Sequence, residues 1–139
     1  MISFYATLSS DSSKRYFKDN TIAHFSTQLP YPICAAGHSF EVAVGEVFTP
    51  PSASGSKSPI FLYTDIIKPV IVSDTAARLL RVLTPNAEHH VFPELHYLPL
   101  EKQNFCTVTL SFHTKSGDRY PFQNSSHPAI VVLHFREIL

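Results

Sequence analysis

The sequence predicts an all-β chain, a sandwich or barrel built from about eight short strands. Three observations predict it. Apolar and polar residues alternate with period two in the clearest segments, helical periodicity is scarce, and 11 prolines fall in nearly every gap between candidate strands. A proline inside a helix costs about 3 kcal/mol, so this spacing leaves little room for long helices.

Taken in order, the first two strands are expected at residues 3–8 and 23–29. The third, at 39–44, sets Phe40, Val42 and Val44 against Glu41 and Ala43. Weaker candidates follow at 60–63, 70–72 and 78–83. At 105–112, Cys106, Val108, Leu110 and Phe112 are expected to face the core, while Thr107, Thr109 and Ser111 take the other face. Lys115-Ser116-Gly117-Asp118 then supplies turn chemistry. The segment 129–135 is β-branched and mostly apolar, as a strand buried on both sides would be. One short helical turn is expected near 73–79, with Asp74 capping Thr75-Ala76-Ala77. The stretch 50–59, rich in Pro, Ser and Lys, reads as a flexible surface loop joining two strands.

A length of 139 residues is that of one domain, spanning 1–139. Hydrophobic residues make up 44% and charged residues only 16%, with 11 Phe and 6 Tyr, which suggests a surface covered by something else, such as copies of the same chain. Net charge is zero, so the basic footprint of a dedicated nucleic-acid binder is missing. The small Lys14, Arg15 and Lys18 cluster reads as a solvated loop. Cys34 and Cys106 read as reduced thiols of an intracellular protein. Met1-Ile2-Ser3-Phe4-Tyr5 has no leader character, and nothing approaches the roughly 18 apolar residues of a membrane span. The expectation is a protein made in the cytosol and not anchored, with Asn124-Ser125-Ser126 a chance sequon match.

Catalytic patterns find no support. The four glycines form no phosphate-cradling motif, neither Cys belongs to a CxxC pair, and no nucleophile-elbow pattern surrounds a Ser. His89, His90 and His96 lie beside Glu88 and Glu94, a set of transition-metal ligand types. Adjacent histidines on an extended chain point in opposite directions, however, and Pro93 interrupts the segment. These histidines read as solvated loop residues, and no metal, cofactor or catalytic residue is expected.

One long segment is more specific than composition. Residues 63–82, from Tyr63-Thr64-Asp65-Ile66 to Leu79-Leu80-Arg81-Val82, precede Leu95-His96-Tyr97-Leu98-Pro99-Leu100. With the opening Phe4-Tyr5-Ala6-Thr7-Leu8 and the closing Val132-Leu133-His134-Phe135-Arg136, the chain resembles the small minor capsid protein, the penton, of Polinton (Maverick) elements. These are virus-like DNA transposons with adenovirus-like capsid genes. The resemblance covers nearly the whole chain. Its markers are the Asp65-Ile66 pair with Pro69, the run from Asp74 to Arg81, and His134-Phe135-Arg136.

The resemblance implies a single jelly roll, an eight-stranded two-sheet sandwich. It implies a homo-pentamer at the capsid vertex of a virion, beside a double jelly-roll major capsid protein, with no specific nucleic acid as partner. Candidate interface or marker residues are Asp65, Pro69, Asp74, Arg78, Leu79, Arg81, His134 and Arg136. Leu80 and Val82 are expected in the core, and Asp65, Asp74 and Arg81 either satisfy loop backbone groups or pair between subunits. Two other classes stay open: a non-viral β-sandwich binding carbohydrate or peptide, and a cupin-like metalloenzyme using His89, His90 and His96.

Overall fold

Strands account for every regular element among the described residues: β1 (Ser3–Ser9), β2 (His24–Cys34), β3 (Ser39–Phe48), β4 (Ile60–Thr64), β5 (Val70–Val72), β6 (Thr75–Ala77), β7 (Leu79–Leu83), β8 (His89–Val91), β9 (Leu98–Pro99), β10 (Asn104–His113) and β11 (Ile130–Ile138). The computed structural model describes residues 2–34, 39–53, 55, 57–85, 87–123 and 127–138. The expected free thiol of Cys34 and the Asn124-Ser125-Ser126 sequon lie outside what is described.

The strands form two main antiparallel sheets. The first has the order β1-β11-β3-β8, with β9 also on β3, and the second has the order β2-β10-β4-β7. The pairings nest: β4 with β7, β3 with β8 and β9, β2 with β10, β1 with β11. The chain is thus one long hairpin whose successive pairs alternate between sheets as it rolls up. That connectivity is the single jelly roll, and its eight main strands match the expected fold class.

Between the sheets lies one apolar cluster. The first sheet contributes Val42, Val44, Val47, Leu133 and Phe135, and the second contributes Phe25, Leu62, Leu110 and Phe112. Burying each such side chain stabilises the fold by about 1.5–3 kcal/mol. The alternation seen in the sequence thus becomes the inner faces of the sandwich.

Bulges overturn two expected core positions. Pairing of β10 with β2 shifts between Phe105 and Thr107. There β2 has four residues (29–32) opposite the single Cys106, and the period breaks, so Phe105 and Val108 are buried while Cys106 is half-exposed, its thiol free and directed at the Leu29 carbonyl. In β7, the shift opposite Leu62 and Tyr63 puts Leu80 and Leu83 inward and leaves Val82 exposed. Leu80 is in the core as expected, and Val82 is not.

Two further expectations are corrected. Thr75–Ala77 is no helical turn but strand β6, paired with β5 in a ribbon whose turn places Ser73 at a φ of 55°. His89 and His90 are not loop residues but belong to β8, paired with Phe48 and Val47 of β3. The 50–59 segment does join β3 to β4. Its first part is tied down: Ala53 N–H donates to the Pro121 carbonyl at 2.8 Å, and Gln123 N–H donates to the Pro51 carbonyl at 2.7 Å.

Candidate functional site

The candidate residues fall at separate places on the sandwich. Asp65 follows β4 and is part of the scaffold. Its carboxylate accepts from the Thr109 backbone N–H at 3.0 Å and from Lys102 Nζ at 2.8 Å. Pro69 is exposed at the base of the β5–β6 ribbon, and Asp74 is exposed in its turn. Arg78 donates twice to Glu101 Oε2, at 3.1 and 2.7 Å, while Leu79 is half-buried opposite Tyr63.

Arg81 joins the sheets at one lateral edge. It occupies the row of Leu62, and its guanidinium emerges 4.0 Å over the ring of Phe92, just beyond β8. There it donates to the Glu94 carbonyl at 3.1 Å. A cation over an aromatic face at such a site contributes on the order of 1 kcal/mol.

His134 and Arg136 alone among the candidates share a cluster, on the outer face of the first sheet. His134 lies in the same row as Tyr5 and Ala43, and Arg136 in the row of Ser3 and Glu41. Tyr97, from the segment before β9, reaches over both. Its Oη shares a 2.6 Å hydrogen bond with His134 Nδ1, and the Arg136 guanidinium lies 3.5 Å over its ring. Arg136 also donates to Glu41, and Tyr5 tilts against the His134 ring at 4.5 Å. Sequence reasoning missed Tyr97, Tyr5 and Glu41 here. The i, i+2 spacing of His134 and Arg136 was the signal that one face of a strand carried both.

The three histidines of the metalloenzyme reading are not brought together. His89 stacks on Phe48 and hydrogen-bonds Glu46 on the outer side, and His96 is exposed in a loop. His90 is buried, its Nε2 without a hydrogen-bond partner among the described residues. Burial pushes its pKa down. Adjacent residues of β8 thus face opposite ways. Among the described residues no three His, Cys, Asp or Glu side chains converge to hold a metal ion.

Exposed apolar side chains are the remaining feature. Tyr5, Phe48, Val91 and Ile138 come from the first sheet, Val82 and Tyr31 from the second, and Ile71 from the ribbon. A cavity of about 500 Å3 opens between the β1–β2 and β10–β11 connections, lined by Asp11, Lys14, Tyr120 and Phe122 among others. Its lining mixes apolar rings with single charges. No helix among the described residues is long and apolar enough to cross a membrane.

These features define a single jelly-roll protein whose notable side chains present surfaces. The same fold is found in the crystal structure of the mavirus penton protein. The two superpose with a TM-score of 0.63 at 10% sequence identity, covering 99% of this chain and 100% of that one. No protein-family model matches the sequence, and no curated protein matches it.

Proposed function

We propose that this chain is a penton, the vertex subunit of an icosahedral capsid of the Polinton and adenovirus-like kind. The observation that carries the reading is the end-to-end match of its jelly roll to the mavirus penton protein, with neither chain left over. A domain inserted for catalysis or receptor binding would break such coverage. The sequence markers of Polinton minor capsid proteins at 63–82 and 132–136 point the same way.

In this reading the protein works through surfaces. Five copies close into a ring, each using two different patches in head-to-tail contact. The outer rim of the ring meets the double jelly-roll major capsid protein, and the assembled location is the virion vertex. Low charge and exposed Tyr, Phe and Ile side chains suit a surface that association covers.

Native mass spectrometry across a concentration series tests the reading. Pentamers are expected to grow in as concentration rises. A chain that stays monomeric throughout, and binds carbohydrate or peptide in the 500 Å3 cavity, would move the assignment to a β-sandwich binding module.

A further inference from the structure

Strand β8 ends the order of the first sheet and is only three residues long. It pairs with β3 as Val91 with Glu46, His90 with Val47 and His89 with Phe48. One backbone bond flanks the pairing on each side. Thr49 N–H donates to the Glu88 carbonyl at 2.9 Å, and Phe92 N–H donates to the Gly45 carbonyl at 3.0 Å. Short edge segments held this way open locally at lower cost than central strands such as β11.

His90 is the member of β8 that points inward. It is 6% exposed, and its Nε2 has no hydrogen-bond partner among the described residues. The bond between its ring and the Ala87 backbone is therefore made by Nδ1, which donates its proton to that carbonyl. The neutral ring keeps a lone pair on Nε2, and a second proton has to be added there. Protonation thus creates a buried, charged N–H with nothing to accept it. Thr49 lies on the same inner face of β3, two residues beyond Val47, and its Oγ1 is also unpaired, so no bond reaches the ring from that side. A charge buried and unpaired in this way is far costlier than the same charge in water.

The surrounding charges give that proton no partner. On the outer side of β3, Glu46 is held by His89, whose ring stacks on Phe48. That contact gains charge when His89 is protonated, and a charged His89 repels a second charge on His90. Glu88 and His127 lie at the end of β3, beside Phe48 and Thr49. Arg81 stands at the lateral edge, taken up by the Phe92 ring and the Glu94 carbonyl. None of these groups hydrogen-bonds His90 Nε2. We infer that β8 is an acid-released latch: protonation of His90 detaches residues 88–92 from β3 while the rest of both sheets stays paired. Once β8 lifts, the ring is in water and takes its proton at the ordinary pH of about 6.5. The closed strand is therefore fully favoured above that pH and progressively less below it. Opening bares the backbone of β3 from Glu46 to Phe48, a pairing edge that the closed strand covers. The latch needs only the sandwich and is independent of the vertex reading.

Hydrogen exchange of the full chain, followed amide by amide by NMR and corrected for intrinsic rate, tests this. The Thr49 and Phe92 amides close the two flanks of β8. Their protection should fall by up to about tenfold between about pH 7.5 and 5.5, the limit set by one proton per opening. The Ser10 and Phe112 amides, bonded to the Ala129 and Ala23 carbonyls, should change little. His90→Phe should abolish the fall, and His89→Gln should keep it. Unchanged protection at Thr49 and Phe92 overturns the latch. So does an equal fall at Ser10 and Phe112, which is unfolding of the whole chain, and so does the same fall in His90→Phe. The wild-type comparison of the two pairs of amides decides without any variant having to fold.

Discussion

Asp65 and the Thr109 backbone are bonded in both directions. Asp65 N–H donates to the Thr109 carbonyl at 3.3 Å, and Thr109 N–H donates to Asp65 Oδ1 at 3.0 Å. The pair ties the end of β4 to the middle of β10, continuing the second sheet where the ladder stops. A residue first noticed as a marker thus extends the sheet through its side chain.

Replacing Asp65 by Ala should therefore destabilise the protein by about 1–3 kcal/mol, because it strands the Thr109 N–H. Lys102→Ala, which removes only the exposed ion-pair partner, should cost less than about 1 kcal/mol. Urea unfolding of both variants checks the order. Equal losses would mean that the ion pair, not the backbone bond, is what matters.

Phe105 and Cys106 should exchange the importance that simple alternation gives them. Phe105 lies in the core and Cys106 opposite the bulge of β2. Phe105→Ala is expected to cost about 3–5 kcal/mol. Cys106→Ala should cost less than about 1 kcal/mol, as substitutions away from the core do. Thermal unfolding of the two variants distinguishes this from a strictly alternating strand.

Stability should fall as pH drops below neutrality. The pKa of His90 is lowered by burial first, with a hydrogen bond to the Ala87 backbone opposing and His89 adding to the effect. That of His24 is lowered by burial, then by Arg119 and His113. A histidine depressed in the folded state binds its proton more readily when unfolded. Its stabilising contribution is complete above about pH 6.5, the unfolded value, and is lost as pH falls through that value toward the folded one. Urea midpoints from pH 8 to 5 should decline in wild type and decline less in His90→Phe. An identical decline in the variant would exonerate the buried imidazole.

The β3–β4 connection should tolerate shortening unevenly. Removing residues between Ala53 and Ser58 should change stability by less than about 1 kcal/mol, since closure entropy varies slowly with length. Deleting 51–53 instead removes two hydrogen bonds to Pro121 and Gln123 and should cost clearly more. Comparing denaturation midpoints of the two deletions decides the matter.

Most strands were legible because a half-buried strand writes its two faces directly into the sequence. Leu110 and Phe112 against Thr109 and Ser111 is such a case, and β11 announced itself through Ile130 to Leu133. Bulges were not legible, because the extra residue is defined by the partner strand: nothing near Cys106 or Leu80 signals the shift. Strand β8 escaped notice because His-His-Val is short and two-thirds polar, and only β3 beside it makes it a strand. Of the candidate site, the strand spacing of His134 and Arg136 was readable. The covering Tyr97 arrives from 37 residues away and leaves no local trace. Strand order came only with the resemblance, since alternation says nothing about which strand lies beside which.

Strand β11 occupies the middle of the first sheet, between β1 and β3, although it is synthesised long after both. While residues 130–138 are still inside the ribosome, β1 has no partner and the inner face of β3 lacks Leu133 and Phe135. The nascent chain must carry these unfinished edges until translation has passed β11, and only then can the sheet close. Folding therefore waits for β11 to emerge, slowed by contacts between strands far apart in the sequence. The consequence for a cell is a window of exposure to chaperones and to other nascent copies, in which self-association and misassembly compete from the outset.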